Sequence, residues 1–180
     1  MKTIAIEEHF WTPMYRQNVS ANEFRNFFLA SRSKQLGHDI VEEAMDLGAS
    51  RLAHMDAAGV DVQVLSFGAP GPQAFGADIA IPMARDANDL LYQTIKAHPD
   101  RFAGFAALPT ADPAAAANEL ERAVTKMGFK GAMIHGHTQG AFLDDRKFWV
   151  IFECAEALGV PIYLHPTVPH PEVMKTYFQG

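Results

Sequence analysis

Short apolar segments alternate with helical segments along nearly the whole chain, and this alternation restricts the fold more than any other feature. Five segments have the length and composition of strands: Ile4–Phe10, Val60–Phe67, Phe102–Leu108, Lys130–Ile134 and Val160–Leu164. Four segments with helical periodicity follow the first strand in alternation: Ile40–Ala58, Ala77–Ala97, Pro113–Met127 and Asp145–Leu158. Strands that alternate with helices form βαβ units, so the sequence predicts an α/β fold with a parallel sheet.

The segment at 10–39 interrupts the alternation after the first strand. It contains bulky apolar residues without clean periodicity, including the aromatic-rich stretch Phe24–Phe28. Long functional segments tend to lie over the ends of strands. We therefore expect a lid-like insertion here, within a single domain at 1–180.

Two architectures fit this order of elements. A doubly wound sheet of the flavodoxin type needs five strands. A (β/α)8 barrel needs eight strands and about 250 residues. After the fifth strand the chain continues only into Val173–Gly180, which is predicted to be unstructured. The pattern of elements leaves both architectures open.

Composition excludes several classes of function. The chain has 180 residues, of which 48% are hydrophobic and 20% charged, as in an ordinary globular domain. The net charge of -6 argues against a nucleic-acid partner. No apolar run reaches the roughly 18 to 20 residues that span a bilayer. The single cysteine, Cys154, excludes an internal disulfide and predicts a cytoplasmic protein.

Polar side chains are concentrated where the predicted strands end. Glu7 and His9 end the first strand, His135 and His137 follow the fourth, and His165 follows the fifth. In either architecture, ligands bind at the carboxyl ends of parallel strands. A carboxylate and imidazoles that converge there suit a divalent metal such as Zn²⁺ or Mn²⁺. The alternative for Glu7 and His9 is a surface carboxylate beside a hydrogen-bonded histidine.

Other catalytic arrangements have little support. Cys154 lies within an apolar helical pattern, as a buried structural thiol would. The glycine-rich stretch Gly68–Pro72 contains two prolines, which lack the amide N–H groups that a phosphate site requires.

Short motifs in order along the chain resemble one enzyme family. They are Ile6-Glu7-Glu8-His9-Phe10, Asp56-Ala57-Ala58-Gly59-Val60, Ala87-Asn88-Asp89, Pro99-Asp100-Arg101-Phe102, Met127-Gly128-Phe129-Lys130-Gly131, His137-Thr138-Gln139-Gly140 and Tyr163-Leu164-His165-Pro166. Together they resemble the amidohydrolase superfamily, in its branch of metal-dependent hydroxybenzoate decarboxylases of the γ-resorcylate and 5-carboxyvanillate type.

The resemblance implies the first five β/α units of a (β/α)8 barrel that holds one divalent metal, Zn²⁺ or Mn²⁺. By motif position, Glu7, His9 and His165 would be metal ligands. His135 and His137 would contact the substrate, although His137 fits a loop-ordering hydrogen bond equally well. Phe10 and Trp11 would wall the aromatic ring. The remaining metal ligand and the acid–base residues are expected beyond Gly180.

The predicted activity is non-oxidative decarboxylation of a small hydroxylated aromatic carboxylate. Two alternatives remain: a metal-dependent hydrolase of a lactone, ester or amide, and an inactive chain that only binds metal or a partner. Because an open row of five strands exposes its edges, we also expect a homo-oligomer. Neither nucleic acid nor membrane is an expected partner.

Overall fold

The computed structural model describes residues 1–19 and 32–178, and its strands all pair in parallel. The strands are β1 (Ile4–Phe10), β2 (Val62–Phe67), β3 (Phe102–Gly104), β4 (Ala106–Ala107), β5 (Ala132–His135) and β6 (Ile162–His165). They form two sheets, in the orders β1-β2-β3 and β4-β5-β6. The predicted α/β fold with parallel sheets is confirmed.

The predicted third strand is divided, and the two sheets meet at the division. At Phe105 the amide still bonds Leu65 O of β2 at 2.9 Å, whereas the Ala106 amide bonds Gly131 O at 2.8 Å, next to β5. The side chain of Asn88 then bonds both backbone groups of Ala107, its N–H at 2.8 Å and its C=O at 3.0 Å. We conclude that β4 is short because a side chain from another element takes the backbone bonds that a strand would use.

The order of the strands decides between the two architectures. In the flavodoxin-type order, β1 would lie between two other strands. Here β1 lies at one end of the row and β6 at the other, in sequence order. Nevertheless, the hydroxyl of Tyr163 on β6 donates a hydrogen bond to Glu7 on β1. The row therefore curves until its two ends face each other, as in the first five β/α units of a (β/α)8 barrel.

The helices cover the other side of the strands and carry much of the core. They are α1 (Pro13–Val19), α2 (Ile40–Met45), α3 (Ala49–Ala58), α4 (Ala77–Ala97), α5 (Pro113–Met127), α6 (Trp149–Leu158) and α7 (Pro171–Tyr177). Leu91, Leu120 and Ile151 from α4, α5 and α6 are fully buried, as are Leu65 and Ile134 from the strands. None of the helices in the described ranges is long and apolar enough to span a membrane.

The predicted helix Ile40–Ala58 is wrong as a single element, because the chain turns between α2 and α3. The carboxylate of Asp46 accepts a hydrogen bond from the Gly48 amide at 2.7 Å. An aspartate that bonds the backbone two residues ahead competes with helical hydrogen bonding. By contrast, α4 is a single helix that begins at Ala77, as predicted, although Pro82 lies inside it.

The last segment was also predicted incorrectly. Rather than being unstructured, Pro171–Tyr177 forms α7, with proline in the first turn. The Nδ1 atom of His170 accepts a hydrogen bond from the Glu172 amide at 3.2 Å, which caps the new helix. An N-cap acceptor followed by proline is a recognised start signal for a helix.

Only part of the predicted lid-like insertion can be described. Its first part forms α1, whose Tyr15 and Val19 are buried in the core. The stretch Phe24–Phe28 lies outside the described residues, so the lid stays a prediction.

Large apolar side chains remain exposed on the two end strands. Ile4 and Ile6 on β1 are 55% and 53% exposed, and Leu164 on β6 is 62% exposed. Apolar surface is therefore exposed at both ends of the row, and the homo-oligomer stays a prediction.

Candidate metal centre

The carboxyl end of β1 places Glu7 and His9 beside the end of β6. The register between β1 and β2 shifts between Ala5 and Glu8, so β1 carries one extra residue there. Such a bulge re-aims the side chains that follow it and is common next to functional sites. On the far side of the row, β5 and β6 pair in a register that sets His135 opposite His165.

Three of the predicted site residues converge. The candidate ligand atoms of Glu7, His9 and His165 all lie within 4.8 Å of one another. His9 Nε2 is 3.2 Å from His165 Nε2, which is in turn 3.5 Å from Glu7 Oε1. Two atoms that bind one ion at about 2.0 to 2.2 Å lie about 3 to 4 Å apart, so these separations suit a shared metal.

The hydroxyl of Ser66 orients His9. It donates a hydrogen bond to the carbonyl oxygen of Glu8 at 3.2 Å, and it lies 3.0 Å from His9 Nδ1. Because the hydroxyl proton is committed to that carbonyl, the oxygen accepts from His9 Nδ1–H. The lone pair of His9 Nε2 therefore faces the cluster, as a metal ligand requires.

A tyrosine holds the carboxylate of Glu7. The Tyr163 hydroxyl donates to Glu7 Oε2, while Tyr163 stacks on Phe105 with ring centroids 5.9 Å apart. This hydrogen bond is the largest cause of a lowered pKa at Glu7. Burial, the next largest effect, opposes the lowering, while His165 and His9 add to it. The same bond raises the pKa of Tyr163. Glu7 is thus held as a carboxylate, the form that binds metal.

The donor set is chemically suited to a borderline divalent ion. Two neutral imidazole nitrogens and one carboxylate oxygen are ligands that Zn²⁺ and Mn²⁺ accept. Three protein ligands leave coordination positions for water or substrate. In the described parts of the chain, this cluster is the one group of three or more such side chains found in metal-binding geometry.

His135 lies beside the cluster but is almost completely buried, with 2% of its surface exposed. Its Nε2 is 3.0 Å from the carbonyl oxygen of Phe67, and its Nδ1 is 3.2 Å from Nδ1 of His165. Both ring nitrogens thus face protein atoms. The predicted substrate contact of His135 stays a prediction.

Backbone groups of its own loop and of the segment after β6 engage His137. Its Nε2 lies 3.1 Å from the carbonyl oxygen of Val168, and its Nδ1 accepts a hydrogen bond from the Gly140 amide at 3.1 Å. This is the geometry of the loop-ordering alternative, and the predicted substrate contact is untested.

The two aromatic residues after β1 lie in the core. Phe10 is 1% exposed and meets Phe67 edge to face at 5.5 Å between ring centroids. Trp11 is 6% exposed and stacks on Tyr15 at 6.0 Å. Their predicted role as walls for a substrate ring therefore stays a prediction.

The sequence reasoning missed three residues that support the site. Ser66 was recoverable as a lone hydroxyl near the end of an apolar strand. Tyr163 was recoverable too, since it precedes His165 by two residues, as Glu7 precedes His9. No local signal marks Gln73, which lies in a short 3₁₀ helix, Pro72–Ala74, in the connection after β2. Its side chain accepts from the His135 amide at 2.9 Å and donates to the carbonyls of His135 and His137.

Known proteins are similar to this chain in both sequence and fold. The γ-resorcylate decarboxylase of Rhizobium radiobacter is 37% identical over 181 residues, covering 97% of this chain and 53% of that enzyme. A 5-carboxyvanillate decarboxylase from Novosphingobium aromaticivorans, solved with manganese and 4-hydroxy-3-methoxy-5-nitrobenzoic acid, superposes with a TM-score of 0.87. Its identity is 33%, with 96% of this chain and 52% of that chain covered.

A second solved structure is a dihydroxybenzoic acid decarboxylase from Polaromonas sp. JS666 with bound manganese and 2-nitroresorcinol. Its TM-score is 0.85 at 35% identity, covering 98% of this chain and 53% of that one. The present chain thus spans about half the length of the relatives that it matches. The family pattern described as amidohydrolase matches at residues 4–179. With its parallel strands, its cluster of candidate metal ligands and this match, the chain belongs to the amidohydrolase family.

Proposed function

We propose that this chain carries part of the active site of a metal-dependent, non-oxidative decarboxylase of small hydroxylated aromatic carboxylates. The observation that carries the proposal is the convergence of Glu7, His9 and His165 in one cluster. Relatives at 35% and 33% identity support it, because their structures contain manganese and a hydroxylated aromatic molecule.

Glu7, His9 and His165 would hold a divalent ion, which would supply a Lewis acid next to the bound substrate. The residues of this chain hold and orient that site. His9 and His165 direct their Nε2 atoms at the cluster, and Glu7 adds the negative charge. Ser66 and Tyr163 fix two of these three side chains through hydrogen bonds.

In the proposed reaction, a proton adds to the ring carbon that carries the carboxylate. The bond from that carbon to the carboxylate then breaks, its electron pair returns to the ring, and CO₂ leaves. We assign no described residue as the proton donor.

Metal content tests the first half of the proposal. Purified chain should hold one equivalent of Mn²⁺ or Zn²⁺ by inductively coupled plasma mass spectrometry. The variant His165→Ala should lose affinity by more than the roughly 10- to 100-fold that outer partners of a metal contribute. His54→Ala, at an exposed position on α3, is the matched control. Equal metal content in His165→Ala and the unaltered chain would contradict the ligand assignment.

Turnover tests the second half. The manganese-loaded chain would be incubated with 2,6-dihydroxybenzoate, with 5-carboxyvanillate and with a panel of lactones and esters. Release of CO₂ from a hydroxybenzoate supports decarboxylation. Hydrolysis of a lactone or ester without CO₂ release would favour the hydrolase alternative instead. Metal binding without any turnover would favour a chain that binds metal but is inactive.

A further inference from the structure

We infer that His135 is a positioning residue that keeps the Nε2 lone pair of His165 available to the metal. This inference rests on the proposed metal site, because it concerns one of its three ligands. It gives His135 a role different from the predicted substrate contact. The assignment comes from where each ring proton must lie.

The positions of the protons follow from the partners of the two rings. A backbone carbonyl can only accept a hydrogen bond. Phe67 O lies 3.0 Å from His135 Nε2, so that nitrogen carries a proton. Pro166 O lies 2.6 Å from His165 Nδ1, so that nitrogen carries a proton as well.

The contact between the two rings is consistent with both assignments. His135 Nδ1 and His165 Nδ1 are 3.2 Å apart, and one of the two must accept. A neutral His135 that is protonated on Nε2 has its lone pair on Nδ1. His165 Nδ1–H therefore donates to both Pro166 O and His135 Nδ1. The lone pair of His165 is left on Nε2, the atom 3.2 Å from His9 Nε2.

The surroundings of His135 leave its ring little freedom. Gln73 binds the backbone N–H and C=O of His135 from the loop after β2. The same loop brings Gly71 against the ring, where an added Cβ would lie 2.8 Å from His135 Cδ2. Gly71 also has a φ of +72°, which favours glycine. The glycine- and proline-rich loop Gly68–Pro72 therefore packs against the ring of His135.

A group that hydrogen-bonds the other ring nitrogen of a metal-bound histidine fixes its tautomer. Loss of such a group typically reduces metal affinity about 10- to 100-fold. Pro166 O would still accept from His165 after His135 is changed. We therefore expect the lower end of that range, about tenfold.

Two substitutions separate the two ends of the His135 ring. In His135→Asn the amide oxygen can replace Nδ1 as acceptor for His165, but the donor to Phe67 O is lost. In His135→Gln the amide can still donate to Phe67 O, but it leaves no acceptor at the Nδ1 position. A purely structural role predicts no such difference between the two variants. His54→Asn serves as a control at an exposed helical histidine.

The decisive measurement is the tautomer of His165 in the metal-free chain, from long-range ¹H–¹⁵N spectra assigned with His165→Gln. We expect the Nδ1–H form in the unaltered chain and in His135→Asn, and a mixture with the Nε2–H form in His135→Gln. Titration with Mn²⁺ should show about tenfold weaker binding for His135→Gln and near-normal binding for His135→Asn.

Two results would overturn the inference: an Nε2–H form of His165 in the unaltered chain, or equal Mn²⁺ affinity in the folded His135→Gln variant and the control. Failure of the unaltered chain to bind any metal would instead contradict the proposed function. The spectra of the metal-free chain would still decide the tautomer, so the two failures are distinguishable.

Discussion

His9 Nε2 and His165 Nε2 lie 3.2 Å apart, although 156 residues separate them along the chain. Their rings meet edge to face at 83°. Two neutral imidazoles gain little by directing both lone pairs at each other, and a cation between them would remove the repulsion. The pair of His9 and His165 is therefore the central element of the candidate site.

Ser66→Ala should weaken metal binding without unfolding the chain. The substitution removes the oxygen of the buried Ser66 side chain, which accepts from His9 Nδ1–H. We expect about tenfold weaker Mn²⁺ affinity by calorimetric titration. Ser50→Ala, on the exposed face of α3, provides the control. An affinity equal to that of the control would show that Ser66 does not orient His9.

Tyr163→Phe should raise the pKa of Glu7 towards its ordinary value of 4.5, because the hydroxyl is the largest cause of the lowering. A carboxyl group with a lowered pKa stabilises the folded state above its unfolded pKa. That stability is lost as the pH falls through the folded pKa. As the pH falls through this range, the ionisation of Glu7 should therefore contribute less to the folded-state stability of Tyr163→Phe than to that of the unaltered chain.

The pKa of Glu7 can be measured by ¹³C NMR titration of the metal-free chain. Tyr92→Phe, on α4 and away from the cluster, is a suitable control. An unchanged pKa in Tyr163→Phe would mean that the hydroxyl does not act on Glu7 in solution.

Asn88→Ala should destabilise the fold at the division between β3 and β4. Asn88 is fully buried, and its amide bonds Ala107 at both backbone groups and Glu119 at 2.7 Å. Leaving such groups unpaired costs about 1 to 3 kcal/mol each, so we expect a loss of about 2 to 6 kcal/mol for the two backbone groups of Ala107. Denaturant unfolding would measure it. Asn118→Ala, at an exposed position on α5, should change stability little.

Ile6→Lys should reduce self-association if the exposed edge strand is what brings copies together. Ile6 is 53% exposed on β1, and charged residues on an edge strand disfavour pairing with another chain. Light scattering after size-exclusion chromatography should show a larger monomer fraction. Leu90→Lys, at a 36% exposed position on α4, tests for a general effect of charge. Equal association of both variants would argue against β1 as the contact.

Local sequence patterns were sufficient for the order of the elements and for several of their ends. Asp112 caps α5, accepting from the Ala115 amide at 3.0 Å, and Gly128 ends that helix in the left-handed conformation. Such signals are local, since a cap bonds the backbone within three residues of itself. Where a distant side chain intervened, as Asn88 does at Ala107, the pattern predicted one strand and the structure has two.

The sequence by itself determined which side chains reach the carboxyl ends of the strands, because alternation along a strand and the length of each segment are local properties. It thus indicated that Glu7, His9, His135, His137 and His165 lie at one edge of the sheet. Only the tertiary structure decided that β1 and β6 face each other across the curved row, and that His135 turns both ring nitrogens towards protein atoms. Those distances depend on strand order and on loops packed from elsewhere in the chain, which no local pattern of residues specifies.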